Sequence, residues 1–327
     1  MAIPIWKDTK ASYVTMGDSQ TFIISVDGQT IYNGRLVRKP GEIGLTTYVN
    51  RLVKDYLSAK IDFSRDVNVH PQDNYIREFT ISPATTAGAS AYKFYCDYGY
   101  EDGGIADNTL SVISRPLHNV VDPRQILFCT FADLSENTNH LVEVRLRNGK
   151  RIIADSLSNK VQTFTPQLSQ SMVGDIIDIV DDMAGEVLAS YEVRNTCAEY
   201  ALYYLNAHGG YDHLLISGTT LRSDNIKRTE ITRVVDNTTL KHGRNDVHTE
   251  ITRTWRLNTG HLTDAQWAKT HHLLGSTHVF LHNLDSGEIV PVVIKANKAD
   301  FNTYRNKGRR MSQLSIDVEE STKRARR

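Results

Sequence analysis

Apolar residues along the chain follow two rhythms, and the two-residue one dominates. In TFIISVDGQTIYNGRLV, residues 21–37, Phe22, Ile24 and Val26 recur at every second position, and Asp27-Gly28 then offers a pair able to take positive φ. The pattern predicts a strand, a tight turn and a return strand from Thr30 to Val37. Pro40, Gly41 and Gly44 mark the exit loop. TTYVNRLVKDYLSAKI, residues 46–61, switches to helical spacing: Val49, Leu52, Val53, Tyr56 and Leu57 stand three or four apart, which predicts one amphipathic helix. Strand-like runs return at YIREFTIS (75–82) and AYKFYCDYGY (91–100).

From about residue 120 the period is two again, in ILFCTF (126–131), HLVEVRLRNGKRIIAD (140–155) and DIIDIVDDMAGEVLASYEV (175–193). Asn148-Gly149, flanked by Val142, Val144, Leu146, Ile152 and Ile153, predicts a second hairpin. Short, closely spaced strands of this kind point to a sandwich. AEYALYYLNAHGGYDHLLISG (198–218) closes the region with aromatic strands around Gly209-Gly210. YALYYL also fits a short helix; strand is the preferred reading.

The final third carries the string TEITR twice, at 229–233 and 249–253. In an extended chain Ile231, Arg233 and Val235 share a face, as do Ile251, Arg253, Trp255 and Leu257. The copies read as neighbouring long strands joined by the polar loop DNTTLKHGRND. Glu230 and Arg233 fall on opposite faces, so Arg233 and Arg253 are expected to find partners across strands or subunits. LTDAQWAKTHHLL (262–274) reads as a helix that Thr263 or Asp264 can cap. A hairpin around Asp285-Ser286-Gly287 (278–296), a closing strand (311–320) and a solvated KRARR tail follow. The expected fold is mainly β with α+β modules. An N-terminal β-rich domain with one helix spans 1–110, a β-sandwich-like domain 111–218, and a module with one helix packed on a sheet 219–327.

Composition refines this picture only modestly. At 327 residues the chain exceeds one ordinary core, and 40% hydrophobic with 23% charged residues fits an ordinary globular protein. Lys plus Arg equals Asp plus Glu at 38 each, which removes any global electrostatic pull toward nucleic acid. No apolar run approaches the roughly 20 residues that span a bilayer, and MAIPIWKDTK lacks the features of a secretory signal. Cys96, Cys129 and Cys197 are odd in number, widely spaced and set among apolar residues, so buried reduced thiols and folding in a reducing cytoplasm are expected.

Candidate chemistry is sparse. His271, His272, His278 and His282 crowd one segment. However, His278 and His282 would lie about 13 Å apart on a strand, and His271 and His272 point about 100° apart on a helix. No HExxH, GxSxG, GxxxxGK[ST] or helix-opening GxGxxG occurs. The acid pairs Asp181-Asp182 and Glu319-Glu320 read as solvated surface. Glu101, Asp102 and Asp107 in YEDGGIADN (100–108) lack the ligand spacing of a calcium loop. TYRNKGRRMSQ (303–313), with Tyr304, Arg305, Lys307, Arg309 and Arg310, is the best basic stretch and reads as an exposed turn or a contact with an acidic neighbouring subunit. Tyr98, Tyr100 and Tyr211, beside glycine-rich loops, suggest an alternative role in carbohydrate or receptor binding. No catalytic, cofactor-binding or metal-binding residue is assigned, no cofactor is expected, and the chain is not expected to be an enzyme.

The long paired strands, LTDAQWAKTHHLL, STHVFLHNLDSGEIVPVVI and the closing strand resemble the tube-like module of distal-tail and tail-tip proteins of tailed bacteriophages. IPIWKDT before a DG hairpin, and YALYYLNAHGGYDHLLISG, are similar to structural proteins of phages infecting Bacteroidales bacteria. The resemblance covers residues 198–327 best and carries no catalytic residue. It implies a virion structural protein of the tail tip, baseplate or tail–collar assembly. It further implies assembly in the host bacterial cytoplasm into a homo-oligomeric ring that meets other tail or baseplate proteins. Neither specific nucleic-acid recognition nor membrane insertion is implied.

Overall fold

The computed structural model describes residues 3–4, 11–13, 19–37, 40, 45–47, 49–63, 69–72, 74–83, 92–99, 110–134, 140–156, 161–232, 244–295, 312–322 and 324–326. They form two compact units. One comprises Met1–Arg194 with Leu205–Asp212, the other Asn195–Tyr204 with His213–Arg327.

The first unit opens with β1 (Ile3–Pro4), β2 (Ala11–Tyr13), β3 (Ser19–Val26), β4 (Gln29–Val37) and β5 (Leu45–Thr47), then helix α1 (Val49–Val53). Next come β6 (Val69–Pro71), β7 (Ile76–Pro83), β8 (Tyr92–Asp97), β9 (Leu110–Val112) and β10 (Val120–Val121). The unit continues with β11 (Cys129–Asp133), β12 (Leu141–Leu146), β13 (Arg151–Ser156), β14 (Val161–Phe164), β15 (Ile176–Asp181) and β16 (Glu186–Val193).

One sheet has the order β1-β8-β7-β3-β4. As the alternation predicts, Phe22, Ile24 and Val26 are buried, and Asp27 and Gly28 both take positive φ, 48° and 77°, at the β3–β4 turn. Phe79 sits directly opposite Phe94, with ring centroids 5.7 Å apart. The predicted helix over 46–61 is much shorter: α1 ends at Val53, a single 3-10 turn covers Lys54–Tyr56, and Leu57 is extended. Tertiary bonds claim the rest of that segment. Ser58 N–H donates to the Asn74 carbonyl, and the Gln72 amide exchanges two bonds with the Lys60 backbone.

Two further sheets, β10-β16-β15-β12-β13 and β6-β14-β11-β9, share one core. Val142, Val144, Leu146, Ile177, Ile179, Tyr191 and Val193 from the first pack with Cys129, Phe131 and Phe164 from the second. The two form a sandwich of the expected kind, with alternate residues of both sheets facing inward, but it takes β6 from outside residues 111–218, and the strands of 198–218 belong to another sheet. The β12–β13 hairpin turns at Asn148-Gly149, where Gly149 has φ 91°.

The second unit is built on β17 (Tyr200–Leu205), β18 (Tyr211–Ile216), β19 (Thr220–Thr232) and β20 (Arg244–Leu262). Helices α2 (Asp264–Ala268) and α3 (Thr270–Leu274) follow, then β21 (Val279–Asn283), β22 (Ile289–Ile294), β23 (Ser312–Glu320) and β24 (Arg324–Arg326). The sheet order is β18-β17-β21-β22-β23-β20-β19, with β24 added beside β20. YALYYL is therefore strand. Trp255 opposes Val318 and Leu257 opposes Ile316, and all four are buried. The predicted helix over 262–274 is broken at Lys269. Thr263 caps its first half, its hydroxyl accepting from Gln266 N–H while the Gln266 side chain accepts from Thr263 N–H. The KRARR segment departs from a solvated tail, because Arg324–Arg326 pairs with β20 at Thr249–Ile251. Within the described residues no helix is long and apolar enough to cross a membrane.

Candidate functional site

A dense polar cluster lies in the first unit, around residues 205–212. Asn206 organises it: its Oδ1 accepts from the backbone N–H of His208 and Gly210 at 2.9 and 3.0 Å. Its Nδ2 donates to the Ile113 carbonyl at 2.8 Å and to Asp212 Oδ2 at 2.9 Å. Asp212 is fully buried, and its other oxygen accepts from Arg115 N–H at 2.6 Å. Ser114 links the turn to the sandwich, its hydroxyl donating to the Tyr211 carbonyl while accepting from Thr130 N–H. The Tyr75 hydroxyl donates to the His208 carbonyl, and burial pushes that phenol well above its ordinary pKa. Gly209 has φ 88°, and a Cβ there would fall on the Tyr75 ring and the Tyr98 carbonyl. Groups so fully engaged with one another hold a turn in place rather than present a reactive atom.

The residues singled out in the sequence scatter. Asp181 is buried and pairs with His140 Nδ1 at 2.8 Å, and Glu320 is buried within 3.9 Å of Arg253, so neither is solvated surface; Asp182 is exposed. Their burial comes from strand neighbours distant in sequence. Tyr98 and Tyr211 are also buried, which withdraws them as exposed stacking platforms for sugar; Tyr100 lies outside the described residues. Cys96 and Cys129 are buried free thiols, raised in pKa by burial, whereas Cys197 is free and exposed, contrary to expectation.

The rings of His271 and His272 lie 4.1 Å apart, tilted by 34°, and His282 bonds the Tyr203 hydroxyl at 3.1 Å. Burial lowers the pKa of His278. Among the described residues no group of three His, Cys, Asp or Glu converges as a metal site would require. Residues 100–108 and Tyr304–Arg310 lie outside the described residues, as does Arg233. A small polar pocket at Ser58, Lys60, Pro71, Gln72 and Asn74 has a volume of about 30 Å³, space for a few waters.

What remains is a surface. The two TEITR copies do lie on adjacent antiparallel strands, but offset, so that Ile226 rather than Ile231 opposes Ile251. Arg253 has the cross-strand partners expected of it, with Glu288 Oε1 at 3.6 Å and Glu320 Oε2 at 3.9 Å. β19 is 13 residues long and, among the described residues, has β20 as its one neighbour. Every residue from Leu221 to Ile231 is exposed, including three large aliphatics: Leu221 at 59%, Ile226 at 54% and Ile231 at 45%. Sequence periodicity found this strand but gave no sign that it ends the sheet, because edge position depends on which strands meet. No protein-family profile matches the chain, and no curated protein matches it.

Proposed function

We propose that the protein is a structural component of a tailed-bacteriophage virion, forming a ring in the tail tip, baseplate or tail–collar assembly through β contacts between subunits. The observation that carries the contact between subunits in this reading is the exposed strand β19 at the end of its sheet; the ring itself is what the sequence resemblance implies. A long edge strand presents a row of backbone N–H and C=O groups, and one that also exposes large aliphatics is an aggregation hazard unless charge blunts it or another chain covers it. Assembly removes that hazard. The sequence resemblance supplies the tail context, and the mainly β architecture accords with it. The role is scaffolding without catalysis, and its partners are copies of the same chain and neighbouring tail or baseplate proteins. Assembly takes place in the bacterial host cytoplasm and the product resides in the virion.

Peptide mass spectrometry of gradient-purified particles, with electron microscopy of the isolated protein, tests the reading. It expects the chain among the virion proteins and ring-shaped oligomers in solution. A strictly monomeric protein missing from particles contradicts it.

A further inference from the structure

β19 is its own antiparallel complement. Its sequence, TLRSDNIKRTEIT, read outward from Ile226 in both directions, sets Asp224 against Arg228, Arg222 against Glu230 and Leu221 against Ile231. We propose that two copies of this chain join edge to edge through β19, antiparallel, about a two-fold axis that passes beside Ile226. This deepens the assembly reading and rests on its premise that the β19 edge is a contact surface, but not on its placement in a virion.

The pairing follows from strand geometry. Alternate side chains share a face, so Arg222, Asp224, Ile226, Arg228 and Glu230 line one side of β19. In the two-fold pair each stands opposite its complement on the other copy, with directly opposed Cβ atoms about 4.5–5.5 Å apart. Four oppositely charged pairs then flank one Ile226–Ile226 contact. On the other face Leu221 of each copy meets Ile231 of its mate.

Register is specified as strongly as attraction. Slipping the mate by two residues one way sets Arg222 against Arg228, and slipping it the other way sets Asp224 against Glu230. Like charges directly opposite are destabilising, so both slips are disfavoured. A parallel arrangement in register would stack every charge on itself. Within one chain Arg222 already bonds Asp224 at 3.2 Å, but both side chains are nearly half exposed, and a surface pair of that kind yields easily to a new partner. A two-fold contact does not close a ring by itself. It joins subunits in pairs or two rings face to face, the ring closing through other surfaces.

Cross-linking reads the axis directly. With Cys197→Ser removing the exposed native thiol, Ile226→Cys in the full chain should form an intermolecular disulfide on mild oxidation, because only residues beside the axis meet their own copies. Arg222→Cys should not, since its two copies would stand about 26 Å apart. In sedimentation equilibrium, Arg222→Glu and Glu230→Arg should each weaken the dimer roughly tenfold, and the double reversal should restore it. The substituted positions are solvent-exposed, and an unchanged urea midpoint certifies that each variant is folded.

Equal cross-linking at both positions, none at Ile226→Cys, or a double reversal as weak as the singles overturns the proposal. A charge-sensitive dimer that is missing from virions leaves this contact standing and removes the tail assignment. A virion protein insensitive to both reversals does the opposite.

Discussion

Asn206 engages four groups at once: the Asp212 carboxylate and two backbone N–H groups of its own buried turn, and the Ile113 carbonyl from a distant segment. Asn206→Ala leaves those partners without their bonds in a site closed to water, and should destabilise the first unit by about 2–4 kcal/mol, read from its urea midpoint. A change below ~0.5 kcal/mol would mean that water replaces the amide. Titration acts on the same scale. Burial holds the imidazoles of His118 and His278 below the ordinary histidine value of 6.5. As pH falls through that value the unfolded chain takes up protons before the folded one does, so the stability these residues contribute is complete above 6.5 and lost below it. Asp178 extends the trend to lower pH. Although burial opposes its ionisation, bonds from Arg147 and Ser190 keep its pKa below the ordinary carboxylate value. The urea midpoint should therefore be lower at pH 5 than at pH 7.5, with a smaller difference in His278→Gln; a flat profile over that range would contradict the assignment.

Among the elements, burial separates two isoleucine- and tryptophan-bearing positions that the alternation of β20 treats alike. Trp255 is 5% exposed against Val318, whereas Ile251 is half-buried between β19 and β24. Trp255→Asp should cost about 3–5 kcal/mol and unfold the second unit, while Ile251→Asp should cost only ~1 kcal/mol. Circular dichroism with urea titration distinguishes them, and equal costs would place the core boundary elsewhere. Thr263→Ala should remove about 1 kcal/mol through the lost capping box.

Turns of this protein are written locally, in Asp27-Gly28, Asn148-Gly149 and Asp285-Ser286-Gly287, where the Asn283 side-chain Oδ1 accepts from Asp285 and Ser286 N–H. They were legible for that reason. The helix expected over 46–61 was not, because its apolar spacing is genuine but Ser58 and Lys60 are captured by Asn74 and Gln72. Likewise no local signal could bury Asp181 or Tyr211, whose partners lie 41 residues away at His140 and 97 residues away at Ser114.

For the whole molecule, mainly β architecture leaves edges, and among the described residues β19 is the longest strand at the end of a sheet. The acidic and basic residues of the chain cancel, so no net repulsion keeps copies apart. β19 combines that neutrality with exposed aliphatics and a sequence that complements itself, and it is therefore the surface proposed for contact between copies. Hydrogen–deuterium exchange of the peptide spanning residues 220–232, compared at low and high protein concentration, measures this directly. Exchange should slow as concentration rises, and in Arg222→Glu the same slowing should require roughly tenfold more protein. Exchange that is fast and independent of concentration would show that β19 meets no second copy.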